Sequence, residues 1–265
     1  MPVEPQTYNP DAQSPACRLR VRTMRNLHVR PTLLLSSLLA MSLVSPAYLQ
    51  LQAWTSGNLT PVSYPSHALA TASSKAADLD GDGEVESLTL VNETAFIRRG
   101  DVQLWRSPAD WNVLQASVSD FDHDGLPEAS LLLWREFAPW PVDRYLRHPG
   151  RIDDFHDRHN QSCHLILIGW RRSEFREIWA GSALADPIVA FSAADIDGDE
   201  RQELIALEGR YDRSKEVGQS ITIWDWNGFG FSLRWRGREG NLRALSAVQA
   251  ANGKILLLVQ GNARR

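Results

Sequence analysis

Cysteine is almost missing from this sequence: among 265 residues there are only Cys17 and Cys163. Cys17 falls within an N-terminal leader, which leaves Cys163 alone. No intramolecular disulfide can then brace the remaining chain, and burial and metal have to hold it. A long apolar run is missing too. The most sustained one, Thr32 to Val44, covers 13 residues, and a bilayer crossing needs about 20. There is no excess of basic charge: 28 Lys and Arg face 32 Asp and Glu, a net charge of −4. With neither a basic stripe nor an RNA or DNA motif, nucleic acid is excluded as a partner class. No arrangement of Ser, His and Cys supports a catalytic triad.

The apolar run follows Arg25 and Arg30 and precedes Ser45-Pro46-Ala47. A positive flank, a short apolar core and small residues at −3 and −1 describe a secretory signal peptide cleaved after Ala47. Met24 stands just before Arg25, so residues 1–23 read as an over-extended start. An uncleaved N-terminal anchor is the rival reading, and with no Cys near the cleavage point a lipoprotein is disfavoured. Residues 1–47 carry two acids and five arginines, so their removal takes the charge from −4 to −7. A secreted or periplasmic, mildly acidic protein without a membrane span in its mature chain is expected.

Against these absences stands one motif in three copies: Asp78-Leu79-Asp80-Gly81-Asp82-Gly83-Glu84-Val85-Glu86, the stretch Asp120–Glu128, and the stretch Asp195–Glu203. Each puts carboxylates at positions 1, 3, 5 and 9. Two bare carboxylates about 4 Å apart repel by roughly 4 kcal/mol at an effective dielectric near 20, so a cation is called for. Calcium takes six to eight oxygens, and a curled loop offers alternate side chains plus the carbonyl at position 7. The expected metal residues are Asp78, Asp80, Asp82, Glu84 and Glu86 in the first loop. They are Asp120, Asp122, Asp124, Leu126 and Glu128 in the second, and Asp195, Asp197, Asp199, Arg201 and Glu203 in the third. Glu84, Leu126 and Arg201 would serve through their carbonyls.

These are not EF-hands, which need a bidentate Glu at position 12 and a following helix. Position 12 here is Thr89, Leu131 or Ala206, and strand-forming residues follow. Three acidic surface turns without metal are the bland alternative. By residue content the first loop is cleanest, with Gly81 and Gly83. The second carries His123 at position 4, read as an exposed side chain. The third has Glu200 at position 6, at a cost of about 1 kcal/mol if that position needs a positive φ.

A nine-residue acidic loop set between two strands resembles the FG-GAP/VCBS repeat family, the calcium-loop β-propellers that include the integrin α-chain head. The resemblance covers residues 48–265 and lies in the Asp loops. It implies an all-β propeller with Ca²⁺ as its ion. The family's partner-reading residues fall outside the matched loops and do not carry over.

A second signature gives the repeat. Trp105, Trp179 and Trp235 each end an apolar strand before small or charged turn residues. Strand, Asp loop, strand, hairpin, strand and Trp strand make a four-stranded unit. Units are expected at 68–105, 112–179 and 188–235, the third with its hairpin turning at Asn227-Gly228. Residues 242–259 start a fourth unit that lacks its outer half. Tyr48–Gly57, with Trp54, is expected to complete that last blade and close a ring of about four blades, removing exposed sheet edges. An open array, or closure by a second chain, are the alternatives. The tryptophans are read as packing between blades.

The insertion 136–162 carries Trp140, Asp143, Tyr145, His148, Asp153, Asp154, His156, Asp157 and His159. It reads as a solvated loop whose aromatics contact a protein or glycan partner. A transition-metal or acid–base role for Asp154–His159 is the other option. The expected function is therefore a non-enzymatic interaction module, of adhesion type. An exported hydrolase or lyase with the insertion lining its site is the alternative, and a purely structural envelope subunit is a third.

Overall fold

The computed structural model describes residues 47–63, 69–71, 75–138, 154–237 and 240–262. The leader 1–46 and the insertion residues Trp140, Asp143, Tyr145, His148 and Asp153 lie outside the described residues. The described chain is all strand and turn, save one short helical turn at Asp154.

Among the described residues, seventeen strands follow in chain order. β1 (Ala47–Thr55), β2 (Asn58–Val62) and β3 (Leu69–Thr71) come first. β4 (Ala76–Ala77), β5 (Glu86–Val91), β6 (Thr94–Arg99) and β7 (Val102–Arg106) form the first complete blade. β8 (Asn112–Ser119), β9 (Glu128–Glu136), β10 (Gln161–Arg171) and β11 (Glu174–Ala180) form the second. β12 (Ile188–Ala194), β13 (Glu203–Glu208), β14 (Ser220–Trp226) and β15 (Phe231–Gly237) form the third. β16 (Asn241–Ala250) and β17 (Ile255–Asn262) begin the fourth.

The fourth blade is split between the termini, as expected. Its sheet order is β2-β1-β17-β16-β3, and β1 runs antiparallel to β17 with Gln50 opposite Val259 and Ala53 opposite Leu256. Two details differ from the sequence reading. The N-terminus supplies two strands rather than one, so Trp54 sits in the third strand and not the outermost. The first strand of the first blade is also divided. β3 pairs with β16 in the fourth blade, and only the two-residue β4 pairs with β5. A strand pattern fixes which residues are extended but not which neighbour they pair with, and here the chain crosses from one blade to the next.

The four blades form a ring, a four-bladed β-propeller. An axial cavity of about 230 Å³ is lined from every blade, by Leu88 and Leu90, Leu114, Phe191 and Leu245 among others. Middle strands are covered on both faces by neighbouring blades, which is why β9, β10 and β13 are buried along most of their length.

Three apolar clusters each bridge two blades: Ile97 with Leu131, Leu165 with Phe191, and Ile223 with Leu257 are representative members. Tryptophans clip the blade edges together. Trp179 Nε1 donates to the Phe229 carbonyl at 2.9 Å, and Trp235 Nε1 donates to Asn58 Oδ1 at 3.0 Å. Trp54 meets Trp235 edge to face at 5.8 Å. The fourth seam differs: the cluster there holds, among the described residues, only side chains of the fourth blade, such as Ala53, Val248 and Leu256.

The third-blade hairpin departs from the expected tight turn. Asn227–Gly230 is a four-residue loop, closed by Asn227 N–H donating to the Gly230 carbonyl, and it leaves Phe229 89% exposed.

Candidate metal centre

In each of the first three blades the Asp loop joins the first strand to the second. Antiparallel geometry therefore places all three on one face of the ring. One set of local hydrogen bonds shapes all three. The amide at position 5 donates to the carboxylate at position 3, in Asp82–Asp80, Asp124–Asp122 and Asp199–Asp197. The amide at position 7 donates to position 5, from Glu84, Leu126 and Arg201, at 2.9 Å in every case. The amide at position 6 reaches back to position 1, from Gly83, Gly125 and Glu200. Side chains thus take up the backbone donors of the curl, as Asx turns do.

The curl needs two left-handed residues. Position 6 has φ of 91° at Gly83, 85° at Gly125 and 70° at Glu200. Position 4 has φ of 78° at Gly81, 58° at His123 and 87° at Gly198. The strain expected at Glu200 is present, and a second lies at His123, expected to be an exposed side chain but half-buried here. A non-Gly residue in this region costs about 1 kcal/mol or more.

The carboxylates converge differently from loop to loop. In the second loop Asp120, Asp122, Asp124 and Glu128 all offer an oxygen within 4.8 Å of one another. In the first, Asp78, Asp80 and Glu86 converge without Asp82, and in the third Asp195, Asp197 and Asp199 converge without Glu203. The second loop, not the first, is the most complete donor set. All of its side-chain donors are carboxylate oxygens, which suit a hard divalent cation.

The reason lies in arginines that come from far along the chain. Arg99, at the end of β6, reaches into the first loop and meets Asp80 and Asp82 at 2.7 Å and Glu86 at 2.6 Å. Glu86 is fully buried, and its other oxygen accepts the Leu79 amide at 2.8 Å. The hydrogen bond to Glu86 leads the contacts that raise the Arg99 pKa. Arg234, on β15, contacts Asp197 and lies 3.4 Å from Glu203 in the third loop. Burial pushes the Glu203 carboxyl up to about 7, while its second oxygen accepts the Ile196 amide at 2.9 Å. Arg201 adds its guanidinium to Asp199 at 2.8 Å.

In the second loop Arg171, at the end of β10, touches Asp124 at 2.7 Å and stays 3.7 Å from Asp122. Below it Glu128 is 1% exposed, and neither of its oxygens has a hydrogen-bond partner among the described residues. Asp120 Oδ1 is buried and unpartnered as well. Burial first, then the negative charge of the three aspartates, pushes the Glu128 carboxyl up to about 9.

The opposite face carries a cleft of about 1150 Å³ above the second and third blades. One wall is the described end of the insertion and the other is the β13–β14 connection around Tyr211 and Lys215. Asp157 organises the first wall. Its Oδ1 accepts the His159 and Gln161 amides at 2.8 and 3.0 Å, and its Oδ2 lies 3.4 Å from Lys215 Nζ. Lys215 sits 3.6 Å above the Trp134 ring centroid. His156 Nδ1 lies 2.7 Å from the Asp157 carbonyl, and His159 Nε2 accepts from Arg158. Among the described residues no histidine joins a group of converging metal ligands. Cys163 is buried in β10, its thiol pushed up to about 12 by burial. Compared with protein-family models, curated proteins and solved structures, the chain has no match, which leaves the geometry of its own loops to carry the functional reading.

Proposed function

We propose that this protein is an exported, calcium-stabilised β-propeller of the FG-GAP/VCBS type that works as a non-enzymatic interaction module. The observation that carries the metal is Glu128. A carboxylate 1% exposed, facing three aspartates and without a partner of its own, is costly to bury unless a cation completes it. Four carboxylates favour Ca²⁺ over Mg²⁺, which gives up its water shell reluctantly. Extracellular calcium modules bind at about 10⁻⁴–10⁻³ M. At about 1 mM calcium and a Kd near 10⁻⁴ M, one site adds roughly 1.4 kcal/mol to stability.

Metal on one face leaves the other for a partner, and the cleft between the Asp157 and Tyr211 walls is where a protein or glycan would be read. Several of its charged side chains build the walls. Arg210 pairs with Asp212 at 2.9 Å, Arg236 with Glu208 at 2.7 Å, and Asp157 caps its own loop. This favours a recognition surface over acid–base chemistry. Thermal melting in calcium and then in EGTA, with metal counting on the purified protein, tests the reading. A melting temperature that rises with calcium supports it. A protein that holds no calcium and melts alike in both buffers would sink it.

A further inference from the structure

The three acidic loops answer the same repulsion with different cations. In the first, every oxygen of the buried Glu86 is engaged, one by Arg99 Nε at 2.7 Å and the other by the Leu79 amide. The same guanidinium spans Asp80 and Asp82. In the third, Arg234 bridges Asp197, Glu203 and Asp225, while Arg201 holds Asp199 through two nitrogens at 2.8 and 3.1 Å. No side-chain oxygen of either loop is buried without a partner among the described residues. The second loop alone keeps three such oxygens, two on Glu128 and one on Asp120. Arg171 is held at its rim, where it also donates to the Trp170 carbonyl at 2.9 Å.

We propose that Arg99 and Arg234 take the place of a divalent ion in the loops 78–86 and 195–203, so that the chain binds one calcium ion, at 120–128, and not three. The inference rests on the calcium reading above and refines it. A guanidinium presents several N–H donors in a rigid plane and matches carboxylate pairs, so it satisfies geometry as well as charge. For calcium to enter the first loop, Arg99 must give up three carboxylates at once, because its guanidinium already occupies oxygens the ion would need. The arrangement ties the third and fourth strands of a blade to its Asp loop without depending on the ion supply. The second loop, whose arginine stops at the rim, is the one that senses calcium.

Equilibrium dialysis of the whole purified protein against calcium, with metal counting, reads the stoichiometry directly. One ion per chain is expected for the wild type, none for Glu128→Gln, and two for Arg99→Ala, the new site with a Kd near 10⁻⁴ M. Arg99→Gln, which keeps the stem and a dipole but not the charge, repeats the test should the alanine variant fail to fold. Two or three ions in the wild type, or one ion in both Arg99 variants, overturns the proposal. No ion in the wild type refutes the calcium reading itself, an outcome distinct from either.

Discussion

Glu128→Gln should stabilise this protein in EGTA and erase what calcium gives it. Without an ion the buried carboxyl titrates near 9, against 4.5 for an ordinary glutamate. A raised pKa means that the native protein keeps a proton the unfolded chain gives up. The stability is whole below about pH 4.5 and is lost as pH rises towards 9. At pH 7 the loss spans about 2.5 pH units at about 1.36 kcal/mol each, at most about 3 kcal/mol. Glutamine has the shape of the protonated carboxyl and needs no proton, so it recovers that cost. For a chain of this size the gain is worth several degrees in Tm. On the proposed calcium reading, the wild type should gain roughly 1.4 kcal/mol in about 1 mM calcium, with release of a proton from Glu128 on binding. The variant gains neither. Differential scanning calorimetry in EGTA and in calcium, at pH 5 and pH 7, separates the terms. If Glu128→Gln lowers Tm in EGTA at pH 7, the argument from the buried carboxyl is wrong.

Two more outcomes follow from single residues. His164 is buried, its Nδ1 3.0 Å from the Gly181 carbonyl and its Nε2 2.8 Å from Ser162 Oγ, and burial pushes its pKa down to about 4. The unfolded chain takes up a proton below about 6.5 that the native one refuses, so stability should fall by up to about 3 kcal/mol between pH 6.5 and 4. Urea titrations across that range should show the slope flattened by one proton in His164→Gln, and an unchanged slope would count against it. Glu200, with φ of 70°, should gain about 0.5–1 kcal/mol when replaced by glycine and nothing when replaced by alanine. An equal gain from both would show that the side chain, not the backbone, is the burden.

The sequence by itself determined the parts and their order. Alternating apolar runs between three acidic loops give four-stranded units, and an unfinished unit at 242–259 with a spare strand at 48–54 gives a ring closed across the termini. Those patterns are local, because strand period and turn chemistry are set by residues a few positions apart. The strand Asn58–Val62 and the division of β3 from β4 were hidden, since pairing partners are chosen by neighbours far along the chain. The same limit applies to the loops. Their ranking from Gly81 and Gly83 put the first one foremost, because glycine content is visible in the sequence. What distinguishes the loops is Arg99, Arg171 and Arg234, which come from 13, 43 and 31 residues beyond the last acid of each loop. With no fixed spacing they leave no motif. Only the tertiary structure decides how deeply each guanidinium enters, and therefore which cluster of carboxylates is left to call for a metal ion.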